Sequence, residues 1–192
     1  MGLYGLDKGM EGLTLAIWEQ DEPVAKGKRR EKERHAVGAL LREVFGADCR
    51  LDHYPSGRPF LYGSDINISI SHTVRFVVIL AHPHKRVGVD IECLERNFAA
   101  VEKKALSREE RAYLSCEHRP LQLAIIWSAK EAMYKCLSID GVDFSSQMSV
   151  DKFTPKPQGT LHARFYGAGG ENIRMEVNFK TIDNHILVWV VR

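Results

Sequence analysis

Ile66, Ile68 and Ile70 alternate with Asn67, Ser69 and Ser71. This is the period-2 pattern of a half-buried strand, and His72 closes it. The same reading predicts strands over Arg75 to Ala81 and Arg86 to Glu92, separated by His82, Pro83 and His84. Upstream, Val37, Leu40, Leu41 and Val44 recur at helical spacing, so a helix runs from about Lys28 to Phe45 and stops at Gly46. Leu13 to Trp18 reads as an earlier strand, residues 1–12 as a loose glycine-rich start, and Tyr54 to Pro59 as turns. The first part of the chain is therefore an antiparallel meander behind a helix. The order then repeats. Ser107 and Glu110 form a capping box, Pro120 starts a helix reaching about Leu137, and strands follow near 160–166, 172–181 and 185–191, with Asp183-Asn184 as the last hairpin turn. The pattern predicts an α+β fold of two halves, 1–93 and 94–192, each a helix plus antiparallel strands.

At 192 residues the chain suits one folding unit whose halves share a core. Its 44% hydrophobic and 27% charged residues are ordinary for a globular protein, and a net charge of +2 argues against a dedicated nucleic-acid or membrane binder. The longest apolar runs, such as Phe76 to Ala81, are too short to span a bilayer. Cys49, Cys93, Cys116 and Cys136 show no metal-ligand spacing and follow no secretory signal, so they read as free thiols of a cytoplasmic protein.

Against this background the stretch Val87-Gly88-Val89-Asp90-Ile91-Glu92 stands out. In an extended chain Val87, Val89 and Ile91 share one face, while Gly88, Asp90 and Glu92 share the other. Neighbouring carboxylates repel, so their partner is a cation, a basic side chain or water; charges ending an exposed edge strand would look the same. A second stretch, Ile126 to Lys135, places Ile125, Ala129, Ala132, Met133 and Cys136 on one apolar stripe. Glu131 and Lys135 lie together off its edge. Alone, that pair reads as a surface salt bridge. Beside Asp90 and Glu92 it completes a candidate site for magnesium on a phosphate-bearing ligand. Ser71 and His72 could both donate to a phosphate oxygen. The basic run Lys26, Lys28, Arg29, Arg30, Lys32 and Arg34, interrupted by Glu31 and Glu33, is either a solvated helix start or an anion site.

Four segments, Gly57-Arg58-Pro59, Asn67 to His72, Gly88 to Glu92, and Trp127 to Glu131 with Lys135 a turn later, together resemble the 4'-phosphopantetheinyl transferase superfamily, in its two-lobed surfactin-synthetase-activating form. That resemblance implies two similar halves related by a pseudo-twofold, with the active site in the cleft between them. It implies transfer of 4'-phosphopantetheine from coenzyme A to a serine of an apo acyl or peptidyl carrier protein, with release of 3',5'-ADP. Asp90, Glu92 and Glu131 would hold Mg2+, and Arg34, Arg58, Ser71, His72, Lys130 and Lys135 would bind coenzyme A. Glu131, or Glu92 acting through a metal-bound water, would serve as general base, with Lys135 neutralising phosphate charge. The expected partners are a carrier protein and coenzyme A, without nucleic acid or membrane, for a chain acting as a monomer. The alternatives are a metal-dependent nuclease and a non-catalytic nucleotide- or RNA-binding module.

Overall fold

A computed structural model describes residues 2–20 and 28–192; Lys26 of the basic run lies outside them. The described chain forms two antiparallel sheets. The first comprises β1 (Gly2–Lys8), β2 (Thr14–Glu19), β3 (Leu51–His53), β4 (Pro59–Leu61), β5 (Asn67–His72) and β6 (Phe76–His82), in the order β1-β2-β6-β5-β4-β3. The second comprises β7 (Val87–Cys93), β8 (Met148–Val150), β9 (Gln158–Tyr166), β10 (Asn172–Ile182) and β11 (His185–Val191), in the order β7-β11-β10-β9-β8. The helices are α1 (Arg29–Phe45), α2 (Ala99–Ala105), α3 (Arg108–Tyr113), α4 (Arg119–Leu137) and α5 (Phe144–Gln147).

The layers follow from side-chain alternation. On β6, Val77 and Ile79 pack with Leu40 and Leu41 of α1, while Phe76, Val78 and Leu80 pack with Val87, Val89 and Ile91 of β7. A strand covered on both faces reads as an unbroken apolar run, which is what this segment shows. The far face of the second sheet carries α4, whose Ala129, Met133 and Cys136 meet Val177, Ile186 and Val188. The order through the molecule is therefore α1, first sheet, second sheet, α4. Among the described residues no helix is long and apolar enough to cross a membrane, and the four cysteines are unpaired.

Three expectations are corrected here. The glycine-rich start is not loose: residues 2–8 pair with the free edge of β2 across a bulge, and Tyr4 sets its ring edge-on to Phe76. That pairing is made with a distant segment, so local periodicity carries no sign of it. Strand β5 is not half-buried either. Ile68 packs under α1, and on the opposite face Ser69 and Ser71 are only 3% and 7% exposed. Finally, β7 does not continue the meander. It leaves β6 and pairs antiparallel with β11, so the boundary between sheets falls between β6 and β7.

Candidate functional site

The position of β7 explains the two buried serines. Arg86 and Arg192 exchange backbone hydrogen bonds, and by the alternation of an antiparallel ladder the amides of Val89 and Ile91 point off the free edge of the sheet. A buried amide needs an acceptor. Ser69 Oγ accepts from Val89 N at 3.0 Å and Ser71 Oγ from Ile91 N at 3.3 Å, while Lys135 Nζ donates to Val89 O at 2.9 Å. Side chains of β5 and α4 thus close an edge that no strand among the described residues covers.

The other face of β7 lies under α4. A Cβ on residue 88 would fall 1.9 Å from Ala132 O and 2.7 Å from Cys136 N. Only glycine lets helix and strand approach this closely. The acid pair is therefore not on an exposed edge: Asp90 is buried against the helix. Its Oδ1 accepts from Ser71 Oγ at 2.9 Å and from Lys135 Nζ at 2.8 Å, and its Oδ2 is buried with no hydrogen-bond donor. Glu92 Oε1 accepts the Trp127 indole N–H at 2.9 Å and a guanidinium N–H of Arg96.

Glu131 completes the group. Burial first, and then the negative charge of Asp90, push its carboxyl above the usual carboxylate range, with Lys135 pulling the other way. Glu92 is raised for the same two reasons, opposed by the Trp127 hydrogen bond, Arg96 and Lys135. Three mutually repelling carboxylates and an orphaned buried oxygen make a site short of positive charge. The oxygen donors suit a hard cation such as magnesium. Among the described residues, however, no three acidic, histidine or cysteine side chains are drawn together tightly enough to hold an ion as they stand; Lys135 occupies one oxygen of Asp90 and Arg96 one oxygen of Glu92 instead.

A basic groove reaches this cluster at Lys135, while Glu131 lines a separate pocket with Trp127. The groove's wide end, about 1010 Å3, lies beside α1 and is lined by Arg30, Arg34, Arg42, His53 and His72. A narrower part of about 170 Å3 shares Gly57, Pro59 and Ile70 with it and is lined by Arg58, Tyr134 and Lys135. Arg34, His72, Arg58 and Lys135 thus lie along one path, with Arg58 braced by Asn67 Oδ1.

Two expected roles are corrected. Ser71 and His72 do not form a pair, because successive strand residues face opposite ways. Ser71 points inward to Asp90 and Lys135, while His72 Nδ1 lies 3.4 Å from Glu33 Oε1 of α1. Lys130 cannot reach a ligand. Its Nζ is fully buried and donates to Glu110 Oε2 and to the carbonyls of Ala105, Phe144 and Met148.

Sequence reasoning missed Arg96 and the donor role of Trp127. Trp127 precedes Glu131 by one helical turn, a spacing that could have placed it beside the acids. Arg96 follows the strand in a turn, where no periodicity points to Glu92.

A family model described as the 4'-phosphopantetheinyl transferase superfamily matches residues 86–186, more than half of the chain. The match contains Asp90, Glu92, Glu131 and Lys135, and excludes Arg34, Arg58, Ser71 and His72. No individual curated protein matches significantly.

Proposed function

Because the chain belongs to the 4'-phosphopantetheinyl transferase superfamily, we propose that it transfers the 4'-phosphopantetheine of coenzyme A to a serine of an apo carrier protein and releases 3',5'-ADP. The family assignment supports phosphopantetheine transfer in general. The observation that carries the fuller reading is the convergence of Asp90, Glu92, Glu131 and Lys135 where β7 meets α4, with Lys135 also lining a basic groove.

In this reading the groove takes the nucleotide end of coenzyme A, with Arg34 and His72 at the wide end and Arg58 nearer the pyrophosphate. The guanidinium N–H groups form charge-assisted hydrogen bonds to phosphate, and the His72 ring N–H adds a further donor. Lys135 is held by Asp90 and Val89 O, so its charge is already in place for the pyrophosphate before any substrate arrives. Asp90, Glu92 and Glu131 would hold a magnesium ion, which supplies further positive charge to the pyrophosphate oxygens when bound. The carrier serine Oγ forms a bond to the β-phosphorus, the phosphoanhydride bond breaks, and 3',5'-ADP leaves with the electron pair. The serine proton passes to Glu131 or, by way of a water molecule, to Glu92 as general base.

Incubation with coenzyme A, magnesium and a panel of apo carrier proteins, followed by intact mass, tests the reading. The expected result is a gain of one phosphopantetheine on the carrier with matching release of 3',5'-ADP. If no carrier class gains that mass while the enzyme is folded, the reading is abandoned.

A further inference from the structure

The two basic side chains that neutralise the acids of β7 are held in different ways. Lys135 is fixed, with Nζ donating to Asp90 Oδ1, Val89 O and Ser71 Oγ. Arg96 lies in the turn after β7 and is 43% exposed. It donates to Glu92 Oε1 and lies over the Trp127 ring at 5.5 Å from its centroid. Trp127 comes from the buried helix α4 and orients the same Glu92 oxygen through its indole N–H. Glu92 therefore has one donor packed in the helix and one on an exposed side chain, whose guanidinium also lies over the Phe98 ring at 5.5 Å. Among the described residues Glu131 makes no salt bridge, so the cluster keeps an unmatched negative charge even with both basic side chains in place.

We infer that Arg96 is an exchangeable counterion: it occupies Glu92 in the cation-free protein and gives way when a divalent cation takes that carboxylate. This rests on the reading of Asp90, Glu92 and Glu131 as cation ligands. Both donors sit on Oε1, so a cation that takes Glu92 through that oxygen, alone or together with Oε2, needs one of them to leave. Trp127 is packed in place, and Arg96 can return to water. A guanidinium left beside a divalent cation would also be repelled by it. Arg96 is thus a positioning residue that acts through Glu92, and its departure from the ring makes Trp127 a reporter of occupancy.

The test is a Mg2+ titration at constant ionic strength, with and without coenzyme A, read by calorimetry and by the Trp127 indole N–H resonance, identified by its loss in Trp127→Phe. In the wild type the resonance should move as Mg2+ binds. Arg96→Ala should bind Mg2+ roughly two- to fivefold more tightly, the range that an exposed ion pair carries. Its indole resonance should start displaced and move less. Arg96→Lys, which keeps charge without the planar fork, should fall between. Unchanged or weaker Mg2+ binding by Arg96→Ala overturns the exchange while leaving the cation reading in place. No Mg2+ binding by either protein, with or without coenzyme A, overturns the cation reading and the exchange together.

Discussion

Lys130 and Lys135 lie on the same helix and each pairs with a carboxylate, yet the two pairs do opposite things. Five residues turn a helix by roughly 140° past one full circle, so the two side chains leave α4 on different sides. Lys130 and Glu110 are 0% and 1% exposed. The Lys130 ammonium is surrounded by four oxygens, and Glu110 also accepts from Ser107 N and Val150 N. Every polar atom of this pair is satisfied, and together they tie α2, α3, α5 and β8 to α4. Lys135 and Asp90 are 27% and 7% exposed, and there the matching is incomplete: among the described residues Asp90 Oδ2 has no donor and Glu131 makes no salt bridge, though it feels Lys135 and Arg96 nearby. A saturated buried ion pair holds the fold, whereas one left short of charge has room for a ligand.

The largest effect should come from breaking the saturated pair. Lys130→Met leaves Glu110 and three carbonyls facing an apolar chain, and should destabilise the protein by about 3–5 kcal/mol in urea unfolding. The double variant Lys130→Met, Glu110→Gln should recover much of that loss, because removing both charges is far milder than removing one. A loss under about 1 kcal/mol for Lys130→Met would remove the structural half of the comparison.

The unsaturated pair should respond in rate. Asp90→Asn keeps the shape and a Ser71 contact, so stability should change by about 1 kcal/mol or less, while transfer measured by carrier mass should fall by roughly a hundredfold or more. Adding Glu131→Gln should lower the rate little further, since the two act on one charge cluster. Additive losses would separate them into independent roles.

The smallest effect concerns stability and pH. The Glu131 carboxyl titrates above its ordinary 4.5 in the folded state, because it is buried and faces Asp90. The native protein therefore holds that proton more tightly than the unfolded chain does. The stabilisation is complete below the unfolded value and disappears as pH rises through the folded one. In magnesium-free buffer at neutral pH, Glu131→Gln should unfold later than wild type by roughly 0.5–1 kcal/mol, with a flatter pH dependence above 4.5, even as transfer is lost. A less stable Glu131→Gln at neutral pH would show that Glu131 is already matched.

Much of the site was legible because its signals are local. The i, i+4 spacing of Glu131 and Lys135 and the alternation of Asp90 and Glu92 follow from helix and strand geometry alone. Gly88 stood on the correct face without a reason, since the reason is the backbone of a helix far away in sequence. Lys130 looked like its neighbour Lys135 because a basic side chain on a helix carries no mark of whether the carboxylate it meets is in the core.

Local patterning by itself determined the helices from Lys28 and Pro120, the capping box at Ser107, the C-terminal hairpin and the two faces of β7, because each is decided by backbone geometry over a few residues. Tertiary structure alone decided that β7 crosses to the second sheet, that Ser69 and Ser71 close its edge, that Arg96 meets Glu92, and that Lys130 is structural. Those outcomes depend on which distant polar group satisfies which buried one, and that matching exists only once the chain is folded.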